Sequence, residues 1–136
     1  MDRDDRRVID RLEAFLPFLR VVEEMEPSVG ESVSRESDDP DVDFTIRGVR
    51  YPDPVHELSQ VLHESDWMQR DYLEADIRRY RASPERLDEA SLLTLKRLLT
   101  AYERGERFNP GSQAGALDSG FVRRVVERLV ELRERG

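Results

Sequence analysis

The sequence predicts a mainly α-helical fold: a compact bundle of about five or six helices with a small β-hairpin near residues 42–51. Apolar residues recur three and four positions apart along most of the chain, which is the spacing of one helix face. The alternation of apolar and polar residues that is typical of a strand is confined to one short section. Prolines and glycines divide the helical pattern into segments of ordinary helix length.

The first helical segment carries an apolar stripe that contains a proline. Pro17 has no backbone N–H and crowds the preceding turn, so we expect the helix to kink or restart near residues 15–16. The section that follows, about residues 26–41, is rich in carboxylates, serine, proline and glycine, and we expect it to be an acidic, mobile loop. The stripe consists of Val8, Leu12, Phe15, Leu19 and Val22.

Residues 42–51 form the strand-like section. Four apolar residues alternate there with polar ones, and Gly48 divides them into two pairs, which predicts a short hairpin. A helix then begins near Asp53, because proline, here Pro54, is favoured at the first helical position. A further helix is expected over about residues 71–81. The alternating apolar residues are Phe44, Ile46, Val49 and Tyr51.

The helix that begins between Asp88 and Ser91 has the widest apolar face and is expected to be the centre of the bundle. Gly105 is expected to end it, because glycine tolerates the left-handed backbone of a helix stop. Asn109 is then expected to cap a short helix that reaches about Gly120, and residues 121–133 form the last helix. The wide face consists of Leu92, Leu95, Leu99 and Tyr102, with Leu93 and Leu98 beside it.

Composition restricts the classes of function. The chain has 136 residues, no cysteine and a net charge of −8, which fits one domain over 1–136 and excludes disulfides and cysteine-ligated metal sites. A net acidic protein lacks the charge that drives phosphate binding, and carboxylates near the basic run 78–81 favour ion pairing on a helix surface over nucleic-acid binding. Without a long apolar run, we expect a cytoplasmic protein with no membrane contact.

One stretch of the C-terminal half has a distinctive pattern that resembles a known family. The chain is similar to domain-of-unknown-function family 6508, a set of small prokaryotic proteins, most clearly over residues 92–129. This resemblance implies a mainly helical fold and no established activity. Two positions differ from the usual family pattern, namely Asp118, often a glutamate, and the Asn109-Pro110 pair. The residues that carry the resemblance are Leu98-Leu99-Thr100-Ala101, Arg104-Gly105, Arg107-Phe108, Gly111, Ala116 and Asp118-Ser119-Gly120.

The turn before the last two helices is the best candidate for a ligand site. If Asn109 caps a helix, the first backbone N–H groups of that helix have no partners within it and attract anions. Arg104 and Arg107 would add charge-assisted hydrogen bonds to a phosphate or carboxylate. Gly111 would let a ligand approach the backbone, and Asp118 would orient an arginine.

A structural interpretation of the same turn is simpler, and the sequence favours it over a ligand site. Arg107 would then pair with Asp118 or with a helix C-terminus, Phe108 would anchor the core, and the glycines would permit close helix packing. The turn lacks the Gly-x-x-x-x-Gly-Lys pattern of a phosphate-binding loop. The two interpretations differ in whether the arginines are tied to internal carboxylates or line an open pocket.

No metal or cofactor site is expected. His56 and His63 are the only histidines, and a spacing of seven residues separates them by about 10.5 Å along a helix. Helical metal pairs use a spacing of four. The acidic run 38–43 lacks the glycine and the terminal glutamate of an EF-hand loop.

Two functions remain open at this stage, and whether the protein is an enzyme is left undecided. The first is a non-catalytic accessory or protein-interaction module, favoured because no nucleophile, metal or cofactor pattern stands out. The alternative is an anion-, nucleotide- or phosphometabolite-binding protein that uses the Arg-Phe-Asn-Pro-Gly turn. The last helix is apolar around half of its surface, so either the domain wraps closely around it or a second subunit covers part of it in a homodimer. The contact residues would be Val122, Val126, Leu129 and Val130.

Overall fold

The structure is a computed structural model that describes residues 1–25, 29–36, 45–68, 74–109 and 111–135. Its elements in these ranges confirm the mainly α-helical prediction. The helices are α1 (Arg3–Glu13), α2 (Leu16–Val22), α3 (Asp53–Glu64), α4 (Glu74–Ala82), a 3-10 helix (Pro84–Glu89), α5 (Leu92–Phe108), α6 (Ser112–Asp118) and α7 (Phe121–Arg135). The strands are β1 (Glu31–Glu36) and β2 (Thr45–Arg50).

The N-terminal helical segment is divided at the expected place. Helix α1 begins after Asp2, whose carboxylate accepts a hydrogen bond of 2.9 Å from the Asp4 N–H, and it ends before Ala14. Pro17 lies in the first turn of α2, where a missing N–H breaks no helical hydrogen bond. The predicted restart is therefore confirmed, and it is one reason why the helices outnumber the five or six expected.

The hairpin spans a longer section of the sequence than predicted. Strand β2 lies within residues 42–51, but its antiparallel partner is β1, with Glu31 opposite Arg50 and Glu36 opposite Thr45. The prediction of both strands within 42–51 is thus wrong, as is the prediction of a loop for 31–36. Strand β1 has one apolar residue, Val33, so its sequence shows no alternation, and its conformation depends on hydrogen bonding to β2. Residues 26–28 and 37–41 of the expected loop and residues 42–44 of the expected hairpin lie outside the described ranges.

Helix α5 is contacted from several sides, as its wide apolar face predicted, and it shares the centre of the bundle with α7. It packs against α3, α4, α6 and α7. Leu95 is 0% exposed and Leu99 is 2% exposed. The helix begins after Ser91, whose hydroxyl accepts a hydrogen bond of 3.2 Å from the Thr94 N–H.

The end of α5 differs from the prediction. The helix continues past Gly105 to Phe108, and the Asn109 N–H donates to the Gly105 carbonyl at 2.9 Å. Asn109 therefore ends α5 and does not cap the next helix. Helix α6 instead follows Gly111, which has a φ of 94°, so the left-handed glycine is at 111. Gly105 permits the close approach of α6, because a Cβ there would lie 3.0 Å from the Ser112 Oγ.

The apolar face of helix α7 is buried by other helices of the same chain. It packs against α1, α2, α5, α6 and the 3-10 helix. Val122, Val126 and Leu129 are 0% exposed, and Val130 is partly buried against the same core. The predicted dimer surface is therefore corrected, since these three fully buried side chains are unavailable to a second copy, and homodimerisation itself stays a prediction. Within the described ranges, no helix is both long and apolar enough to cross a membrane.

Replacing Gly30 with alanine should destabilise the protein by about 1–2 kcal/mol, because overpacking strains a well-filled contact. The new Cβ would lie 2.8 Å from the Val49 Cγ1 and 2.9 Å from the Ala114 Cβ. The matched control is Gly115→Ala on α6, where the nearest atom is the Arg81 Nη2 at 3.3 Å, the tip of a flexible side chain. Urea unfolding should show a loss only for Gly30→Ala, and equal stabilities of the two variants would contradict the close packing of the hairpin on α6.

Candidate functional site

The start of α6 is occupied by an internal carboxylate. The Glu106 Oε2 accepts a hydrogen bond of 2.8 Å from the Gly111 N–H, and its Oε1 accepts one of 3.1 Å from the Gln113 N–H. The Tyr51 hydroxyl donates to the same Oε1 at 2.8 Å and accepts from the Ala114 N–H at 3.1 Å. The backbone donors that the sequence offered to an external anion are therefore already bonded within the protein.

Tyr51 joins β2 to this turn. Its side chain is buried, and burial together with the hydrogen bond to Glu106 raises its pKa well above the usual range. The phenol is therefore neutral at physiological pH and acts as the donor to the carboxylate. We call this cluster of Tyr51, Glu106, Gly111, Gln113 and Ala114 the Glu106 network.

Four of the five residues of the predicted anion site are described by the structure, and they have separate environments. Gly111 belongs to the Glu106 network, and the Asp118 Oδ1 accepts a hydrogen bond of 3.3 Å from the Val29 N–H. Arg104 and Asn109 line two different cavities. The side chain of Arg107 lies outside the described part of the structure. Sequence reasoning missed Glu106, which lies five residues before Gly111 on the preceding helix.

The first of these two cavities lies between α4, α5, α6 and the start of α7. Its volume of about 310 Å³ is at the lower end of the range for small-molecule pockets, roughly 300–1,000 Å³. We call it the tyrosine cavity. It is lined by Arg78, Arg81, Leu98, Ala101, Tyr102, Gly105, Asn109, Ser112, Ala116 and Phe121.

Two hydroxyl groups of the tyrosine cavity have unsatisfied hydrogen-bonding capacity. Tyr102 is 7% exposed, and within the described part of the chain neither its hydroxyl nor the buried Ser112 Oγ has a hydrogen-bond partner. A buried unsatisfied polar group costs about 1–3 kcal/mol, so each such group calls for an explanation, and a bound ligand is one. Burial raises the pKa of Tyr102 above its usual range, with nearby Glu103 adding to the effect. The phenol is therefore neutral and can donate a hydrogen bond.

Arginines line the tyrosine cavity from α4. Arg78 and Arg81 are exposed, so their charged ends remain in contact with solvent. The Arg81 Nη2 lies 3.3 Å from the point where a Cβ of Gly115 would stand, which shows that this side chain reaches from α4 to α6. The cavity therefore combines apolar walls and two buried hydroxyls with positive charge from the exposed guanidinium groups.

The second cavity lies on the opposite side of α5. It has a volume of about 540 Å³ and is lined from β2, α3, α5 and α6. We call it the histidine cleft. It contains a hydrogen bond of 2.8 Å between the His63 Nε2 and the Glu103 Oε1. The lining residues are Val49, Tyr51, His56, Ser59, His63, Met68, Glu103, Arg104, Glu106 and Gln113.

The two histidines of α3 both line the histidine cleft, although they are seven residues apart. His63 has a hydrogen bond to a carboxylate there, that of Glu103. Within the ranges that the structure describes, no group of three or more histidine, aspartate or glutamate side chains is arranged to hold a metal ion.

Comparison with known proteins gives one match. The model of DUF6508, a family of unknown function, matches residues 5–135. No curated protein and no solved structure matches the chain.

Proposed function

Because the chain belongs to DUF6508, a family of unknown function, we propose its function from the geometry of its cavities: the protein binds a small organic anion in the tyrosine cavity. The observation that carries this proposal is the pair of buried hydroxyls, Tyr102 and Ser112, without partners among the described residues. A ligand with a hydrogen-bond acceptor would satisfy them and remove their cost.

The residues that line the tyrosine cavity indicate which other chemical groups the ligand carries. Leu98, Ala116 and Phe121 are 2%, 5% and 5% exposed, and they offer an apolar surface to an aromatic or short aliphatic body. The guanidinium groups of Arg78 and Arg81 stay charged at all physiological pH values and suit a carboxylate or a phosphate. The ligand class is therefore a small carboxylic acid or phosphate ester with an apolar body.

This proposal keeps the anion-binding alternative, but the proposed binding site is the tyrosine cavity beside the Arg-Phe-Asn-Pro-Gly turn and not the turn itself. The Glu106 network supports the structural interpretation of the Arg-Phe-Asn-Pro-Gly turn itself. A protein-interaction module receives less support from the surface, because only four large apolar side chains are exposed among those whose burial the structure describes. They are Met1, Val21, Met25 and Leu93.

Replacing Tyr102 with phenylalanine should increase stability and weaken ligand binding. Without ligand, the loss of an unsatisfied hydroxyl should raise the free energy of unfolding by about 1 kcal/mol. The loss of the same donor should weaken the binding of an anion by about tenfold. The control is Tyr51→Phe, which removes a hydroxyl with two hydrogen bonds and should lower stability. Chemical denaturation measures the first effect, and calorimetric titration measures the second.

The ligand is found by a thermal-shift screen of the wild-type protein. Benzoate and phenyl phosphate test the complete ligand, inorganic phosphate tests the charge alone, and benzyl alcohol tests the apolar body alone. A ligand at 100 times its dissociation constant stabilises the fold by about 2.7 kcal/mol. No shift with any of a broad set of small acids and phosphate esters, or a shift unchanged in Arg81→Gln, would contradict the proposal.

A further inference from the structure

The histidine cleft holds a histidine that is oriented by a carboxylate. His63 is 56% exposed on its side chain, whereas Glu103 is 11% exposed. Glu103 is held from a second side, since the Gln113 Nε2 lies 3.5 Å from its Oε2 and 3.3 Å from the Tyr102 carbonyl. A hydrogen bond from the His63 Nε2–H to Glu103 fixes the neutral tautomer whose Nδ1 is unprotonated and able to accept a proton.

A serine lies one helical turn before this histidine. Ser59 and His63 are four residues apart on α3, so they share one helix face with Cβ atoms about 5–6 Å apart. Because helical side chains lean back towards the preceding turn, we expect the His63 ring to lean towards the turn that carries Ser59. Both residues line the histidine cleft, and Ser59 is partly exposed there.

We propose that Ser59, His63 and Glu103 form a nucleophile, base and orienting carboxylate for hydrolysis of a small ester. The Ser59 Oγ attacks the ester carbonyl carbon while its proton passes to the His63 Nδ1. The bond from that carbon to the alcohol oxygen breaks, and the proton of His63 goes to the departing alcohol. Water then repeats the sequence on the acyl-serine, releasing the acid and restoring Ser59. Glu103 is the positioning residue, since it stabilises the imidazolium through the Nε2–H.

The remaining side chains of the histidine cleft favour this chemistry and indicate the substrate. Arg104 lines the cleft, and its guanidinium, with five N–H donors, can supply one to the oxyanion that develops on the carbonyl oxygen. Val49 and Met68 give one part of the cleft an apolar surface for an acyl chain. The substrate class is therefore an ester of a short-chain carboxylic acid.

The experiment uses a fluorophosphonate probe on the full-length protein, followed by peptide mass mapping. The Ser59 Oγ should displace fluoride at phosphorus, with its proton taken by His63, and the probe should remain on the peptide that contains Ser59. His63→Gln should slow labelling at least 100-fold, the lower end of what a general base contributes. Ser65→Ala is the matched control, because the Ser65 Oγ donates to the Leu62 carbonyl at 2.9 Å, and its labelling should equal that of the wild type.

Further variants separate catalysis from folding. Glu103→Gln should slow labelling while Glu103→Asp restores part of it, and the melting temperatures of both variants should be compared with wild type to correct for unfolded protein. Hydrolysis of p-nitrophenyl butyrate should fall in parallel with labelling. Absence of label on Ser59 in the folded wild type, or labelling that is unchanged in folded His63→Gln, would overturn the proposal. These results do not depend on ligand binding in the tyrosine cavity.

Discussion

Replacing Leu95 with alanine is expected to lower the free energy of unfolding by about 3 kcal/mol, within the range of roughly 2–5 kcal/mol for leucine truncations in cores. Leu95 is 0% exposed and lies on the central helix α5. The substitution removes apolar contacts and leaves a cavity that neighbouring helices fill only in part. Leu93 lies on the same helix and is 47% exposed, so Leu93→Ala is the matched control with nearly unchanged stability.

Urea denaturation followed by circular dichroism measures both variants. The helix propensities of leucine and alanine are similar, so a difference between the two variants reports on burial and not on helix formation. An equal effect at both positions would contradict the central placement of α5.

Removing the Glu106 carboxylate is expected to cost about 3 kcal/mol, because three donors lose a charge-assisted hydrogen bond at once. These donors are the Gly111 N–H, the Gln113 N–H and the Tyr51 hydroxyl. Glu106→Ala should therefore loosen the start of α6 and its contact with β2. Glu57→Ala on α3 is the matched control, because Glu57 is exposed.

Chemical denaturation measures the loss of stability in Glu106→Ala, and amide hydrogen exchange shows which helices are affected. Faster exchange in α6, with protection of α1 and α3 preserved, is the expected pattern for Glu106→Ala. A stability equal to that of the control would contradict the view that this carboxylate replaces an external anion.

Much of the helical architecture was accessible from local patterns. The stripe on α5 placed Leu95 and Leu99 in the core because a spacing of three and four positions directs side chains to one helix face. Pro17 predicted that the helix would end and restart as α2, since a proline disrupts a helix interior but fits a first turn. Both signals act within one or two helical turns, so distant residues did not alter them.

Other features depended on contacts that are distant in sequence. Strand β1 carries too few apolar residues to be recognised, and only its pairing with β2 makes it a strand. Gly105 and Gly111 have equal local freedom, so the sequence did not distinguish a close helix contact at one from a left-handed turn at the other.

The candidate sites were the least predictable part. The turn at 104–111 was recognised as a place where polar groups converge, but the anion-binding groups of α6 proved to be bonded to Glu106. Tyr102 was expected in the apolar stripe, and only the arrangement of α4, α6 and α7 around it leaves its hydroxyl without a partner among the described residues. His63 had no partner in the sequence pattern, because Glu103 is 40 residues away.

The sequence by itself determined that this chain is helical, where its apolar faces lie and that α5 is contacted from several sides, because these properties follow from the spacing of neighbouring residues. The tertiary structure decided which polar groups meet: Glu106 with the start of α6, His63 with Glu103, and Arg81 with the tyrosine cavity. Such contacts depend on how the helices pack against each other. The periodicity of side chains along one helix carries no information about which polar residue of another helix will contact it.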